Sequence, residues 1–415
     1  MSLSDTAQCN KLLYALTPSI DRSFLLNTLT SLVRTNSINP TLAPGGPGEA
    51  EIARLVAAML GEIGLEVSTH EPEPGRTSVV GILRGQGGGR SLMLNAHYDT
   101  VGIDGMADPF SAEVRDGRLY GRGAYDMKGS LAACIAAVRA LAGAGAPLAG
   151  DVVIAAVADE EYASLGTADL VGRYQVDAAI VTEPTELAVC LAHKGFLWIG
   201  VETIGQAAHG SRFDLGIDAN MRMGRFLAQL DQLERQLRAR RPHPEVGPPS
   251  LHAALLAGGT GLSTYSARCG LKIERRTVPG ETEAQALAEI QELIDKLSEA
   301  DDTFRASAKI LFARPPFEVR RDAAIVQSLA QTAAGILGRE PDYVGQTPWM
   351  DSALLAAAGI ETVVMGPCGG GAHAIEEWVD LASVETMARI LAESAVNYCG
   401  QASGSRLQAP GTGDS

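Results

Sequence analysis

The chain is 415 residues long and carries 49 acidic against 34 basic residues, a formal net charge of -15. A chain of this length exceeds what a single hydrophobic core usually supports, so two domains are expected. The negative charge repels phosphate backbones and anionic lipids, which argues against nucleic-acid and membrane partners.

The cysteines and the N-terminal segment indicate the cellular compartment in which the protein is expected. The six cysteines are scattered, with no Cys-x-x-Cys pair, which is typical of reduced thiols in a cytoplasmic protein. Asp5 and Lys11 interrupt any apolar run near the start, so no signal peptide is expected. No stretch approaches the roughly eighteen consecutive apolar residues of a membrane-spanning helix, and none is predicted.

The first part of the chain alternates helical and strand-like patterns. Predicted helices and strands occupy, in order, 21–34, 48–63, 78–83 and 91–95. Gly64 stops the second helix. The glycine-rich segment 85–89 has no Lys-Ser and no helix after it, so it indicates a flexible turn better than a phosphate-binding loop.

The apolar run that begins at Ser91 ends abruptly in His97 and Asp99. Side chains alternate along a strand, so these two groups should point to the same side. A strand end of this kind can present a metal ligand together with the carboxylate that orients it. Tyr98, between them, should point to the opposite face and into the packing of the sheet.

Two further strands are predicted to end in acidic residues. After a hairpin at 112–119 and an Ala-rich helix at 130–142, the apolar runs 152–158 and 178–181 lead into Asp159-Glu160-Glu161 and Glu183. Strands that alternate with helices predict a mixed, mostly parallel α/β sheet flanked by helices, with ligand sites beyond the carboxyl ends of the strands.

The pattern changes after His193. Strand, helix, two strands, helix and strand follow, at 196–204, 221–239, 251–257, 269–276, 281–297 and 304–312. This order predicts an inserted α+β domain of the ferredoxin-like kind. The predicted division is an α/β domain at 1–192 and 315–400, an inserted α+β domain at 193–314, and a disordered tail at 401–415.

Several acidic and imidazole groups fall at predicted strand ends or in loops. They are His97, Asp126, Glu160, Glu161, Glu183 and His373. Two divalent cations such as zinc need one bridging carboxylate and about two further ligands each, which this set supplies with one carboxylate left over. In an extended backbone the adjacent Glu160 and Glu161 point to opposite sides, so one could bind metal and the other act as general base.

Each of these signals has a plain structural alternative. A single histidine on a strand is more often a core or surface residue than a ligand, adjacent acids usually form a solvated loop, and Glu183-Pro184 could be a simple turn. None shows the tight spacing of a His-Glu-x-x-His helix. A serine hydrolase is not favoured, because no Gly-x-Ser-x-Gly motif is present.

Together, the motifs resemble those of the di-zinc aminoacylase and carboxypeptidase family, which includes acetylornithine deacetylases, succinyl-diaminopimelate desuccinylases and glutamate carboxypeptidases. The resemblance runs in order from about residue 21 to residue 398. Its motifs are His97-Tyr98-Asp99-Thr100-Val101, Gly121-Arg122-Gly123, Asp126-Met127-Lys128-Gly129, Asp159-Glu160-Glu161, Glu183-Pro184-Thr185, Ala208-His209-Gly210-Ser211, Arg276 with Pro279, and Ala372-His373.

This resemblance implies a role for each matching residue. Asp126 would bridge two zinc ions, with cobalt or manganese also possible at such ligands. His97 and Glu183 would complete one site, and Glu161 and His373 the other. Glu160 would be the general base, and Asp99 would orient the ligand at position 97. The peptide bond between Asp126 and Met127 is expected to be cis.

The resemblance also implies that 1–192 and 315–400 form a catalytic di-metal domain and that 193–314 is a lid and dimerisation domain, and it implies roles for substrate-binding residues. His209, on the inserted domain, would polarise the scissile carbonyl and, in a homodimer formed through that domain, act on the partner's site. Arg276 would bind the substrate carboxylate, with Arg275 on the other face of its strand. The glycine loop, including Gly369 and Gly370, would line the substrate pocket.

The sequence therefore predicts a cytoplasmic two-metal amidohydrolase that removes an acyl group from an N-acyl amino acid, as in the deacetylase and desuccinylase branch. The alternatives are a dipeptidase or glutamate-carboxypeptidase-like enzyme acting on a short peptide, and a catalytically silent relative that only binds a ligand. The presence of Glu160 argues against a catalytically silent relative, since a binding protein needs no general base. A carbamoylase is disfavoured, because that branch tends to have His where this chain has Glu183.

Overall fold

The computed structural model describes residues 19–400, so the tail predicted to be disordered lies outside the described residues. The described chain forms two compact units. The first comprises 19–191, 319–344 and 350–400, and the second comprises Ala192–Glu318 and Gly345–Trp349. Each unit has a hydrophobic core of its own.

The bounds of the strands and helices follow in chain order. The strands are β1 (Glu66–His70), β2 (Ser78–Leu83), β3 (Leu92–His97), β4 (Glu113–Arg115), β5 (Arg118–Tyr120), β6 (Val152–Val157), β7 (Ala178–Val181), β8 (Val189–His193), β9 (Gly195–Ile204), β10 (Ser250–Gly258), β11 (Arg268–Thr277), β12 (Arg305–Arg314), β13 (Phe317–Glu318), β14 (Tyr343–Gln346), β15 (Glu361–Val364), β16 (Gly369–Gly370) and β17 (Trp378–Asp380). The helices are α1 (Arg22–Arg34), α2 (Ala50–Ile63), α3 (Gly129–Ala144), α4 (Leu165–Leu170), α5 (Ala219–Ala239), α6 (Glu283–Ala300), α7 (Ala324–Leu337), α8 (Ser352–Ala357) and α9 (Leu381–Cys399), with a π-helical turn at Ala124–Lys128.

The large sheet of the first unit has the strand order β1-β2-β6-β3-β7-β15-β8. The central strands β6, β3, β7 and β15 are parallel, whereas the pairings toward both edges are antiparallel. The predicted mixed sheet is confirmed, with its parallel part confined to the centre. Because β6, β3 and β7 are parallel neighbours, their carboxyl ends meet at one edge, where ligand sites of α/β sheets usually lie.

Helix α3 lies deep in the core of the first unit. Eleven of its 16 residues are buried, and it packs against α1 and α9. Its many alanines allow this close approach on several sides. By length and composition alone, the stretch Ala124–Ala144 could cross a membrane, but 72% of that window is buried inside the fold, as in the core helix of a globular unit.

Local signals explain several boundaries in the first unit. The Asp21 carboxylate caps α1 by accepting the Phe24 N–H at 3.0 Å. Gly64 ends α2 in the left-handed conformation, at φ +92°. The predicted hairpin is confirmed between β4 and β5, where Asp116 and Gly117 both have positive φ, as two-residue hairpin turns require.

The second unit has the order β9, α5, β10, β11, α6, β12, with an antiparallel sheet ordered β10-β11-β9-β12. This is the predicted ferredoxin-like arrangement, and it is confirmed. Its core is formed by alternate residues of the sheet and by the apolar faces of α5 and α6. A capping box between Thr282 and Gln285 begins α6. The short strand β13 pairs with Ala192 and His193.

Candidate metal centre

His97 is the last residue of β3, and its side chain is buried. Its Nε2 atom lies 3.1 Å from Asp126 Oδ1, 3.5 Å from Glu183 Oε1 and 3.8 Å from Glu160 Oε2. Its Nδ1 atom donates to the backbone carbonyl oxygen of Asp99 at 3.1 Å. Because Nδ1 carries the proton in the neutral ring, the lone pair of Nε2 faces the carboxylates and is available to a cation.

Asp126 lies between two imidazole rings. It belongs to the π-helical turn before α3, and its peptide bond to Met127 is cis, as the resemblance implied. Its Oδ1 faces His97 Nε2 at 3.1 Å, and its Oδ2 lies 3.3 Å from His373 Nε2. One carboxylate therefore offers one oxygen to each side, which is the arrangement a bridging ligand needs.

The acidic pair after β6 differs in conformation from the prediction. An extended backbone was expected, but Glu160 and Glu161 lie in a turn that follows Asp159, whose φ is +69°. The cause is Asp99, whose carboxylate accepts the N–H groups of Glu160 at 3.1 Å and of Glu161 at 3.3 Å. The carboxylate expected to orient His97 therefore folds this turn, while its Oδ1 lies 3.7 Å from the ring.

The two side chains of this turn still diverge. Glu160 lies with His97 and Glu183 in one group of ligand atoms, and Glu161 lies with His97 and Asp126 in another. Within each group the atoms are all within 4.8 Å of one another. His373 extends the second group, with its Nε2 3.0 Å from Glu161 Oε2.

The charge of the cluster fits divalent cations. Within residues 19–400, the only ion-pair partners of its four carboxylates, Asp126, Glu160, Glu161 and Glu183, are the two histidines. Burial and the neighbouring acids raise the pKa of Glu160 and Glu183 well above the usual range, and that of Glu161 to about 7. Such a cluster must be neutralised by protons or cations, and its nitrogen and oxygen donors suit zinc and similar ions.

Tyr98 lies on the opposite face of the strand, as predicted. Its ring is fully buried in the core of the first unit, and its hydroxyl donates to the backbone carbonyl of Thr77. Burial raises the pKa of this hydroxyl well above its ordinary value. Tyr98 therefore packs in the core on the opposite face of the strand and is not one of the candidate metal ligands.

A buried network behind the acidic turn was not predicted from the sequence. Asn39 Nδ2 donates to Asp99 Oδ2 at 2.9 Å and to Asp159 Oδ1 at 3.0 Å. The Arg76 guanidinium bonds to Asn39 Oδ1 at 3.1 Å, contacts Asp159 and lies 3.0 Å from Glu49. The carboxylate that holds the turn is thus itself held by residues remote in sequence.

Asp351 was also missed. It precedes α8, is buried, and accepts a hydrogen bond from Thr167 Oγ1 at 2.6 Å. Burial raises its pKa to about 6, and its charge helps raise the pKa of Glu160 and Glu183. No local pattern marks this aspartate, because its surroundings come from other parts of the chain.

The glycine loop packs against the residue that precedes Asp126. The Gly369 N–H and the Tyr125 hydroxyl both donate to Glu186 Oε1, at 3.2 and 2.6 Å. A Cβ atom on Gly369 would lie 2.3 Å from the Tyr125 ring, so the position requires glycine. At Gly370 the nearest atoms, on the Trp378 ring, would be 3.2 Å away.

His209 and Arg276 lie in the second unit. The exposed His209 accepts the Ser211 N–H at Nδ1, at 3.2 Å, so the proton of the neutral ring lies on Nε2 and can be donated. Arg276 is partly exposed and pairs with Glu274 at 2.9 Å. Arg275 is buried in other ion pairs, which confirms that the two arginines face opposite sides of β11.

Comparisons with known proteins identify the family to which this chain belongs. The model of Peptidase family M20/M25/M40 matches residues 93–397. An N-formyl-4-amino-5-aminomethyl-2-methylpyrimidine deformylase from Bacillus subtilis (strain 168) is 26% identical over 405 residues, covering 89% of this chain and 94% of that protein. An acetylornithine deacetylase from Myxococcus xanthus is 29% identical over 335 residues, covering 78% of this chain and 85% of that protein.

A solved structure shares the fold. It is a Bacillus subtilis protein described as a dinuclear metal binding peptidase from the M20 family, with a TM-score of 0.71 and 17% sequence identity. The similarity covers 91% of this chain and 98% of that one. The α/β unit and the ferredoxin-like unit therefore both belong to a known architecture.

Proposed function

Because the chain belongs to peptidase family M20/M25/M40 and is a metal-dependent hydrolase of amide or peptide bonds, we propose that it removes an acyl group from an N-acyl amino acid. The observation that carries the proposal is the position of Asp126, with one carboxylate oxygen toward His97 and the other toward His373. Glu160, beside this pair, supplies a carboxylate beyond those needed as ligands.

The residues present could hold two divalent cations. We assign Asp126 as the bridging ligand, His97 and Glu183 to one cation, and Glu161 and His373 to the other. The relative described as a dinuclear metal binding peptidase supports the count of two. Zinc suits this set of imidazole and carboxylate donors, and cobalt or manganese can use the same ligands.

The chain's own groups carry the proton transfers. Bound cations would lower the pKa of water and polarise the substrate carbonyl. Glu160 accepts the proton of the attacking water and returns it to the leaving nitrogen, which avoids release of an unstable amide anion. Asp99 positions Glu160 by accepting its backbone N–H at 3.1 Å.

Two residues of the second unit would bind the substrate. His209 can donate its Nε2 proton to the oxygen that becomes negative in the transition state, which stabilises that state by several kcal/mol or so. The Arg276 guanidinium suits a carboxylate, because its planar donors match both carboxylate oxygens. Gly369 and Gly370 would line the pocket on the side of the metal centre.

The relatives and the residues of the site support the proposed substrate class. The two relatives described above are named for removing a small acyl group, formyl from an N-formyl compound in one and acetyl from acetylornithine in the other. A dipeptidase or carboxypeptidase acting on a short peptide is the second candidate, favoured by the description of the solved relative as a peptidase. A silent binding protein is disfavoured by the placement of Glu160.

A substrate panel with a matched variant tests the function. Purified protein loaded with zinc is given N-acetyl, N-succinyl and N-formyl amino acids and dipeptides, and the released amine is measured. We expect N-acyl amino acids to be the best substrates and Glu160→Gln to lower kcat by about 10²- to 10⁴-fold, because the general base is lost. Glu160→Gln should still bind two cations.

The control is Glu51→Gln, an exposed position in α2, which should match wild type. Full activity of Glu160→Gln with two cations bound would contradict the mechanism. Dipeptides as the only substrates would favour the second candidate. Fewer than about one cation per chain in wild type would contradict the two-metal centre.

We also propose a cytoplasmic homodimer formed through the second unit. Strand β10 is an edge strand of its sheet, and Leu255 and Leu256 on it are 62% and 57% exposed. An exposed apolar edge can pair with the same edge of a second copy around a two-fold axis. No disulfide joins the five cysteines of the described residues, and reduced thiols suit a reducing compartment.

A further inference from the structure

Glu377 is buried beneath the loop that carries Asp126, and no role described above uses it. Its side chain is about 1% exposed. Its Oε1 accepts the backbone N–H groups of Tyr125 and Asp126, both at 3.0 Å. Its Oε2 accepts the Gly123 N–H at 3.0 Å and the Arg122 Nη1 at 2.6 Å. All four partners are donors, so the position needs a group that accepts at both oxygens.

Arg122, the charged partner of Glu377, extends the contact to two further segments. Its Nε donates to the Gly102 carbonyl at 3.0 Å, and its Nη2 donates to the Ala374 carbonyl at 2.9 Å. Gly102 belongs to the segment that leaves β3 after His97, and Ala374 directly follows His373. One buried ion pair therefore joins the three segments that carry His97, Asp126 and His373.

We propose that Arg122 and Glu377 form a clasp that positions Asp126 between the two cations. The inference rests on the proposed function, since it concerns the same centre. A bridging carboxylate must address two ions at once, so a small displacement of its backbone costs affinity at one of them. Glu377 fixes that backbone through the Asp126 N–H, and Arg122 fixes it relative to the terminal ligands His97 and His373.

The clasp makes a different prediction from a purely structural ion pair. If the ion pair were purely structural, its loss would lower the thermal stability of the fold and leave cation binding by the folded protein unchanged. If the pair positions Asp126, its loss changes the affinity for the second cation and the coupling between the two cations, even in protein that remains folded. The two possibilities are therefore separated by measuring metal binding and not by activity alone.

Glu377→Gln is the sharpest variant, because it keeps the shape but turns one oxygen into an NH2 group. That group would face two of the four donors, so at least two hydrogen bonds are lost. We expect the affinity for the second cation, measured by calorimetry with Mn²⁺, to fall by about 10- to 100-fold. The exchange coupling of the bound Mn²⁺ pair, seen by electron paramagnetic resonance, should weaken, and kcat should fall more than KM rises.

Glu376→Gln is the matched control, since Glu376 is the exposed neighbour in sequence, and it should match wild type in every measurement. Arg122→Lys keeps the charge but cannot make all three contacts, so it should also lower the affinity for the second cation. Circular dichroism and Tm identify the folded fraction of each variant.

The outcomes separate the clasp from the function. Wild type that binds two coupled cations and hydrolyses amides, beside folded Glu377→Gln with the same affinities and coupling, would overturn the clasp alone. Wild type without a coupled pair would overturn the proposed two-metal function and the clasp with it. If Glu377→Gln does not fold, folded Arg122→Lys decides in the same way, and unchanged cation binding by it would overturn the clasp.

Discussion

Single backbone groups decide what each histidine can do. His97 donates from Nδ1 to the Asp99 carbonyl, which leaves a lone pair on Nε2 for a cation. His209 accepts the Ser211 N–H at the same ring atom, which leaves a proton on Nε2 to donate. One residue type can thus offer a lone pair to a cation in one place and a proton to a substrate in another, and the difference is set by one neighbouring peptide group.

The close packing of Gly369 against Tyr125 can be tested by adding one methyl group at this position. In Gly369→Ala the new Cβ would lie 2.3 Å from the Tyr125 ring and 2.5 Å from the Trp378 carbonyl oxygen. We expect a loss of about 1–3 kcal/mol in the free energy of unfolding, from overpacking, and a raised KM as the loop shifts. Denaturant unfolding and steady-state kinetics measure both quantities.

Gly370→Ala is the matched control for this variant. Its Cβ would approach only the Trp378 ring, at 3.2 Å, which can move slightly. The effect on stability should therefore be smaller than that of Gly369→Ala. Equal effects of the two variants would mean that contact with Tyr125 does not determine the need for glycine.

The buried carboxyl group of Glu49 should make the stability of the fold depend on pH. Burial, and then the charge of Asp99, raise its pKa from 4.5 to about 8. Between these values the folded protein keeps a proton that the unfolded chain releases, so stability falls as pH rises through this window. Glu49→Gln carries no such proton, and its Tm should fall less between pH 5 and pH 8.

The comparison is made in the presence of a chelator, so that cation binding does not contribute. Glu51→Gln, two residues further along and exposed, should keep the wild-type slope. A slope for Glu49→Gln that equals the wild-type slope would show that this carboxyl is not the group that titrates.

At the scale of elements, the centre follows from three parallel strands that end at one edge of the sheet. The sequence predicts β2 and β7 to the residue, because each is a short apolar run with a clear end. It also predicts that His97, Glu161 and Glu183 lie at or just beyond strand ends: His97 is the last residue of β3, Glu161 lies four residues beyond β6, and Glu183 lies two residues beyond β7. The local sequence pattern is sufficient to place a residue when its position depends only on the strand that it ends or follows.

Local pattern fails where distant residues determine the backbone. The turn at Glu160 depends on Asp99, and Asp99 is held by Asn39, so neither conformation is encoded in the neighbouring residues. Helix α9 was not predicted, because buried polar residues such as Ser383 and Ser394 interrupt its apolar periodicity. Asp351 carries no signal at all until its buried surroundings are known.

At the scale of the whole molecule, the proposed dimer would let His209 of one subunit complete the site of the other. Glu160→Gln and His209→Ala proteins are each expected to be inactive, because each lacks one group at every site. Random exchange of equal amounts makes half of the dimers mixed, and one of the two sites in each mixed dimer has both groups intact. About a quarter of wild-type activity should therefore return after mixing.

The dimer interface itself provides the control for this experiment. Leu255→Glu, introduced into both proteins, places a charge on the exposed edge of β10, where two copies would bring like charges together. Sedimentation should then report monomers, and mixing should restore no activity. Mixed dimers that form, as mass spectrometry of differently labelled chains can show, but remain inactive would mean that His209 serves the site of its own chain.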